Sequence, residues 1–322
     1  MKAVIINEFG SADVLTYCEC PKPTIAKGEI LIHITYTSVY FADIKNRTGN
    51  KAKANFPMIL GLDVAGIVED VFESNSDFQK GDQVIAFPKK GAYAEYVVAK
   101  EQLVFKIPQD VPIEKVAAVP TVLFLSYILT YRVAAITEQD SVLIHAASGG
   151  VGTMLIQMVK RLGAKQIIGT VSHLEKAAIA YQLGAHQVFT YDDFSASINN
   201  YTNGAGVDIV FDSIAGAITE ESLHCLAPYG TLVQFGNSGG RAGTIKTADL
   251  HSSYRNIQGF SLGTTRAKRP VMLQQVAQAI FSIVKEESFQ VPIAKIFTLA
   301  EIQQAHELME SRQHQGKILI KI

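Results

Sequence analysis

Residues 145 to 152 read His145-Ala146-Ala147-Ser148-Gly149-Gly150-Val151-Gly152. They follow an apolar run, Ser141-Val142-Leu143-Ile144, and open a stretch with Val151, Leu155, Val159 and Leu162 along one helical side. Strand, glycine turn and helix in that order form a cradle for phosphate. Gly149 and Gly150 would let backbone N–H groups approach a pyrophosphate, with Ser148 and Val151 in the same turn. Gly152 would let the helix pack closely on the strand. The pattern is A-x-G-G-x-G, because Ala147 stands where a glycine is usual. A purely structural turn is the competing reading.

The tip of the next strand selects the dinucleotide. An NAD site places Asp or Glu about 20 residues on, to accept from the ribose 2′-OH. Here the segment is Thr170-Val171-Ser172-His173-Leu174-Glu175-Lys176. A hydroxyl at Ser172 and an ammonium one turn later at Lys176 suit a 2′-phosphate, which a carboxylate would repel. Glu175 should point away from them. The predicted cofactor is NADPH.

Other chemistry-bearing patterns read as decoys. Gly236-Asn237-Ser238-Gly239-Gly240 fits G-x-S-x-G, but Arg241-Ala242-Gly243 is a poor start for the apolar helix that a nucleophile elbow needs. His145 ends a core strand and reads as a hydrogen-bonded core histidine. His224 and Cys225 read as packing, and neither H-E-x-x-H nor C-x-x-C occurs.

These residues need a scaffold, and the chain has the length for one. It has 322 residues, 48% apolar and 18% charged, with 29 Lys+Arg against 30 Asp+Glu. That describes a well-cored globular protein with no bulk drive toward nucleic acid or anionic membrane. The uncharged stretch Val116 to Tyr131 is shorter than the ~20 residues of a spanning helix and reads as buried core. The apolar start Ala3-Val4-Ile5-Ile6 is too short for a signal-peptide core. Three cysteines are too few for a disulfide framework, so a reducing cytoplasm is the economical reading.

Short strands dominate the first third, including Ile30, Ile32 and Ile34 at period two, Val64–Val68, Gln83–Phe87 and Tyr96–Val98. They predict a small antiparallel barrel or sandwich. From about residue 115 strands alternate with helices, at Ser141–His145, Gln166–Val171, Gln187–Phe189, Val207–Phe211, Thr231–Phe235 and Ile257–Phe260. Six such strands predict a doubly wound parallel sheet. Helices near Val271–Val284 and Leu299–Ser311 and a strand Lys317–Ile322 should return to the first domain. The expected division is 1–122, 123–264 and 265–322.

Several ordered motifs resemble the medium-chain dehydrogenase/reductase superfamily, and within it the zinc-free, zeta-crystallin-like quinone oxidoreductases. They are Gly61-Leu62-Asp63-Val64-Ala65-Gly66, Gly81-Asp82-Gln83-Val84, Gly91-Ala92-Tyr93-Ala94-Glu95-Tyr96, the Ala147–Gly152 turn and Tyr229–Asn237. The resemblance implies an α/β fold: a GroES-like β-barrel domain plus a Rossmann domain, a doubly wound parallel sheet of order 3-2-1-4-5-6. It also implies a cytoplasmic homodimer acting on a small quinone or enone, with no membrane and no nucleic-acid partner. In the zinc alcohol dehydrogenases of the superfamily, cysteine, histidine and cysteine ligands fall at Tyr40, Leu62 and near Thr121. None of these supplies Cys or His, and the structural zinc loop is missing, so no metal is expected.

Further site residues follow from the resemblance alone. Tyr191 matches a tyrosine packing near the 2′-phosphoribose, and Arg312 an arginine reaching the same phosphate, with a solvated helix end as the alternative. Phe235, Asn237 and Leu262 would flank the nicotinamide half. On the substrate side Tyr40, Lys45 and Leu125 are candidates. The family typically has Asn at Tyr40 and Tyr at Lys45. Tyr40 could donate to a substrate oxygen or simply fill the old metal cavity. The basic stretch Lys45, Arg47, Lys51 and Lys53 reads either as a contact for an acidic substrate or as a solvated face. No catalytic residue is assigned. The implied activity is zinc-independent, NADPH-dependent hydride transfer to quinones. A 2-alkenal, enone or enoyl-thioester reductase and an NADPH-binding protein without turnover are the alternatives.

Overall fold

Ser141–Ile144 is buried at every position, as a strand covered on both faces must be. It lies at the centre of a six-stranded sheet that a computed structural model places in Leu125–Leu262, one of two compact units. The other unit comprises Met1–Phe124 and Gly263–Ile322. The described residues are 1–50, 55–72 and 76–322, so Lys51 and Lys53 lie outside them.

In the first of these units the strands are Ser141–Ile144, Gln166–Thr170, Gln187–Phe189, Val207–Asp212, Leu226–Gln234 and Asn256–Gly259. Numbered in chain order they lie 3-2-1-4-5-6, all pairs parallel. This is the doubly wound Rossmann order that the family resemblance implies. Order reverses beside the first strand, so the loops after the first and fourth strands open at the sheet's switch point. The fifth strand starts earlier than the sequence suggests, at Leu226, which pairs with Val207 before the register breaks and resumes at Thr231 with Ile209; Tyr229, at φ 67°, lies in that break. Tyr229 is 73% exposed, so no core packing signalled that extension. The helix Gly150–Arg161 buries Leu155, Met158 and Val159 against the sheet and ends at Gly163, φ 75°.

The other unit carries a seven-stranded, mainly antiparallel sheet. Its path runs Ile293–Thr298, Lys317–Lys321, Glu29–Val39, Val64–Val71, Gln83–Ala86 and Val104–Lys106, with Tyr96–Lys100 also on Glu29–Val39. The 11-residue strand Glu29–Val39 shifts register twice along Val64–Val71. Such irregularities bend a strand and let it serve several partners. The tail strand pairs Ile318 with Val39 and Lys321 with Tyr36. Several elements here escaped the sequence reading, among them Ile293–Thr298, a strand with one buried residue, and Leu262–Lys268, a short helix. The apolar stretch after residue 112 forms helices Ile113–Ala117 and Pro120–Ile128 and supplies buried Phe124, which packs on Phe87 and Phe105. Among the described residues no helix is long and apolar enough to cross a membrane.

Candidate functional site

The turn after the first Rossmann strand is held by its own backbone. The Ala147 N–H donates to the Thr170 carbonyl at 2.9 Å and the Gly149 N–H to the Ala146 carbonyl at 2.9 Å. Ala146 adopts φ 52°, a left-handed conformation costing roughly 1–2 kcal/mol for a residue with a Cβ. Its N–H donates to the Tyr191 hydroxyl at 2.8 Å. A Cβ on Gly152 would sit 2.2 Å from the Ala146 carbonyl oxygen and 2.8 Å from Ala147 Cα. Only glycine lets the helix start this close to the turn. Ala147, the departure from the usual glycine, is matched on the next strand. A Cβ on Gly169 would lie 2.7 Å from the Ala147 methyl, so the missing side chain at 169 makes room for the extra one at 147. The turn thus fits a pyrophosphate, with free N–H groups at the first turn of a twelve-residue helix aimed outward.

Beyond the second strand, Lys176 Nζ donates to Ser172 Oγ at 2.9 Å. Ser172 and Glu175 are exposed and Lys176 is half-buried. The hydroxyl and ammonium form one polar corner at the strand tip, and the segment from Thr170 to Leu174 contains no Asp or Glu. Tyr191 follows the third strand, half-buried, with its phenol on the turn. The Phe235 N–H donates to the Asp212 carbonyl at 2.9 Å, and the Ser238 and Gly239 N–H groups donate to the carbonyls of Ser213 and Ile214. Phe235 and Asn237 are therefore half-buried members of a loop laced to the end of the fourth strand. No helix follows Ser238 until Ala248–His251, which removes the nucleophile-elbow geometry.

Sequence reasoning missed Asp212. It is fully buried, accepts from the Ile214 and Ala215 N–H groups at 2.7 and 3.0 Å, and receives the Thr219 hydroxyl. Its signal was available: a carboxylate closing the apolar run Ile209-Val210-Phe211 must be satisfied locally. His145 is a core histidine, bonded to the hydroxyls of Thr170 and Ser222 at 2.7 and 2.8 Å. Burial pushes its pKa down to about 4, against the Asp212 charge, so the ring is neutral.

The Met1–Phe124/Gly263–Ile322 unit holds a second polar cluster, around the residue that the family pattern would make a zinc ligand. Tyr40 precedes the helix Phe41–Arg47 and is 8% exposed. Its hydroxyl donates to Asp63 Oδ2, which also accepts the Thr121 N–H at 2.8 Å. Lys317 Nζ stands 3.4 Å from the centre of the Tyr40 ring. Asp43 accepts the N–H groups of Tyr40 and Gly61 at 2.9 and 3.1 Å. Burial pushes the Asp43 carboxyl up to about 7, against those two donors. Burial also pushes Lys317 down to about 8, with the Asp63 and Asp43 carboxylates opposing. The Tyr40 phenol is raised well above its usual range by burial and then by Asp63. Arg266 donates to the Leu62 carbonyl at 2.9 Å and stacks over Phe87 at 4.9 Å. Neither Lys317 nor Arg266 was singled out from sequence. The clue for Lys317 was a cation opening the apolar run Ile318-Leu319-Ile320.

Tyr40 thus turns its phenol inward to a carboxylate. Replacing it with Phe removes a hydroxyl donor from fully buried Asp63. We expect Tyr40→Phe to lose about 1–3 kcal/mol in urea unfolding; an unchanged midpoint would refute that role. Lys45 is half-buried on the same short helix. Arg312 is the left-handed cap of Ile302–Ser311, exposed, with its guanidinium 5.5 Å from the Phe41 ring centre. Leu125 and Leu262 bound the Rossmann unit, 8% and 7% exposed. The structure therefore gathers Ser148–Gly152, Ser172, Lys176, Tyr191, Phe235 and Asn237 at the carboxyl ends of one sheet's strands, while Tyr40, Lys45 and Arg312 belong to the other unit. No group of three or more His, Cys, Asp or Glu able to hold a metal occurs among the described residues.

Comparison with known proteins agrees with both halves. Residues 26–109 match the alcohol dehydrogenase GroES-like domain, and residues 150–278 match the zinc-binding dehydrogenase family. The second match excludes Tyr40, Leu62 and Thr121, so its name carries no ligand set to this chain. The chain is 31% identical to a probable quinone oxidoreductase of Schizosaccharomyces pombe, over 98% of this chain and 96% of the relative. It is 30% identical to a 2-haloacrylate reductase of a Burkholderia species, over 99% and 98%. Its fold is similar to that of the Escherichia coli quinone oxidoreductase solved with NADPH, at TM-score 0.94, 29% identity and full coverage of both chains.

Proposed function

Because the chain belongs to the medium-chain dehydrogenase/reductase superfamily, among the quinone oxidoreductases, we propose that it is a zinc-independent, NADPH-dependent reductase of quinones. The observation that carries the reading is the Ser172–Lys176 corner beside the Ala146–Gly152 turn. A strand tip with no Asp or Glu from Thr170 to Leu174 and an ammonium on a hydroxyl favours a 2′-phosphate over a bare 2′-OH.

NADPH, when bound, supplies a hydride. The chain's part is to bind, orient and exclude water. Backbone N–H groups at Gly150 to Gly152 would hold the pyrophosphate, with Ser148, Gly149 and Val151 in the same turn, and Ser172 and Lys176 would hold the 2′-phosphate. Tyr191 fixes the turn through Ala146 and lines the ribose, while Phe235, Asn237 and Leu262 flank the nicotinamide. Arg312 is an additional phosphate contact. Tyr40, Leu62 and Thr121 offer no thiolate or imidazole, so no Lewis acid is supplied in the zinc enzymes' manner. The acceptor must then be one already prone to take hydride, which a quinone is. Lys317, cationic at neutral pH, and the Tyr40–Asp63 pair give that region a fixed polarity, with Lys45 and Leu125 as further substrate contacts. A cytoplasmic homodimer with a small-molecule substrate completes the reading.

The second reading is reduction of an activated carbon–carbon double bond, in an alkenal, enone or enoyl thioester. It is favoured by the likeness to a 2-haloacrylate reductase. The test is NADPH and NADH oxidation followed by absorbance, with 9,10-phenanthrenequinone and a 2-alkenal offered separately. NADPH-selective turnover of the quinone supports the first reading, and preference for the alkenal supports the second. Tight NADPH binding with no turnover of either would leave a cofactor-binding protein. Lys176→Glu is expected to lower the NADPH-over-NADH preference about 10- to 100-fold, the size of a lost charge-assisted contact (~1.5–3 kcal/mol). Unchanged selectivity would remove Lys176 from the site.

A further inference from the structure

Cys18 lies in the strand Thr16–Glu19 and Cys20 follows directly. Residues two apart on an extended chain share a face, and here the two Sγ atoms are 3.6 Å apart. Both thiols are free and half-buried. The strand is the outer member of the sheet formed with Lys2–Ile6 and Met58–Ile59. Its inner side is fixed by the Ala3–Cys18 register, and the Cys20 N–H donates to the Met1 carbonyl at 2.8 Å. Two sulfurs are therefore held side by side at an accessible sheet edge.

Distance decides what such a pair can do. A disulfide requires about 2.05 Å between sulfurs, so the pair would have to close by about 1.5 Å. Two residues of strand also separate the Cα atoms by about 6.6 Å, near the upper limit for a bridge. Two sulfurs on one pyramidal soft centre, with bonds of about 2.3 Å at angles of about 95–105°, stand about 3.4–3.65 Å apart. The observed spacing lies in the second range. Zinc would demand four ligands, and no third His, Cys, Asp or Glu completes a set among the described residues. A centre that needs only two protein sulfurs is required.

We propose that Cys18 and Cys20 form a bidentate site for a thiophilic metalloid of the trivalent organoarsenical class. With an arylarsine oxide, two S–H bonds break and two As–S bonds form. The oxide oxygen leaves as water with both thiol protons, and arsenic stays trivalent, so no oxidant is needed. Burial, and then the neighbouring thiol, raises the Cys18 pKa, so Cys18 meets the arsine oxide as the thiol whose proton leaves in the water. The site shares no residue with the dinucleotide turn or the Tyr40 cluster.

The test is titration of the whole chain with phenylarsine oxide in excess 2-mercaptoethanol, read by intact-protein mass and reversed with 2,3-dimercaptopropanol. One phenylarsenic group per chain is expected. Cys18→Ser and Cys20→Ser should each weaken capture about 100-fold, the loss of one arm of a chelate. Cys225→Ser should change nothing, since that thiol is 1% exposed and burial pushes it up to about 12. Thermal melting of both serine variants at the wild-type temperature would show that folding is intact. Full-affinity capture by either single-serine variant overturns the proposal. So does absence of an adduct on the native wild-type chain, or its loss in Cys225→Ser.

Discussion

Gly152→Val should weaken NADPH binding about 10³-fold, or ~4 kcal/mol, in a titration of cofactor fluorescence. The added Cβ would stand 2.2 Å from the Ala146 carbonyl oxygen, a backbone atom that no rotamer change can move. The helix Gly150–Arg161 would have to retreat by about 1 Å to restore contact distance. That retreat carries its first N–H groups away from the pyrophosphate and unpacks buried Met154 and Leu155. Gly149→Ala is the control, because its Cβ meets the same oxygen at 3.2 Å and needs a shift of only a few tenths of an ångström. We expect it to lose less than about tenfold. Binding by Gly152→Val within tenfold of wild type would mean that the turn is not the phosphate cradle.

That turn was legible in the sequence because each requirement is local. A buried strand, glycines at fixed offsets and an amphipathic helix occupy one contiguous stretch, and the period-two and period-3.6 patterns on either side name the elements. The doubly wound parallel sheet was legible for the same reason, through alternation of strand and helix, whereas its strand order followed only from the family resemblance. What escaped is non-local. Lys317 reaches Tyr40 from the last strand, and Arg266 reaches Leu62 from a seven-residue helix. No spacing rule links residues that far apart. The compensation of Ala147 by Gly169 was invisible too, since Gly169 is an ordinary strand glycine until its pairing with the first strand is known. The strand Ile293–Thr298 hid for another reason: only Phe297 is buried, so alternation left almost no trace.

Acid should unfold this chain through its buried histidines. His306 is fully buried, and burial, then the Arg47 charge, pushes its pKa down to about 3; that of His145 is about 4. Both titrate near 6.5 when unfolded. As pH falls below 6.5, the unfolded chain binds two protons that the folded chain refuses, and each site costs about 3 kcal/mol of stability by pH 4. Asp43 works the other way. Its raised pKa of about 7 means the folded state takes a proton first on acidification, returning about 3 kcal/mol over the same interval. The net loss by pH 4 is about 3 kcal/mol, read as a falling urea midpoint.

Arg47 tests the origin of that loss. Its guanidinium is fully buried, donating to the Gly10 carbonyl at 3.2 Å, to His306 Nδ1 at 3.1 Å and to Glu310 at 2.6 Å. Because Arg47 only donates, Nδ1 must accept. The proton therefore sits on Nε2, which donates to the Tyr93 hydroxyl at 3.1 Å. Arg47→Met leaves that network without its cation and should cost about 3–5 kcal/mol at pH 7. It should also make the acid slope shallower without abolishing it, since burial outweighs Arg47 in holding His306 neutral. Lysine should not rescue, because one ammonium on a single stem cannot span three acceptors set for a planar fork. A loss under about 1 kcal/mol at pH 7 would show that the contacts are incidental. The helix that ends in Arg47 begins just after Tyr40. The pin on Gly10, His306 and Glu310 at one end therefore fixes the angle at which the other end presents its phenol to Asp63, and the Tyr40–Asp63 cluster inherits its rigidity from a residue that touches neither.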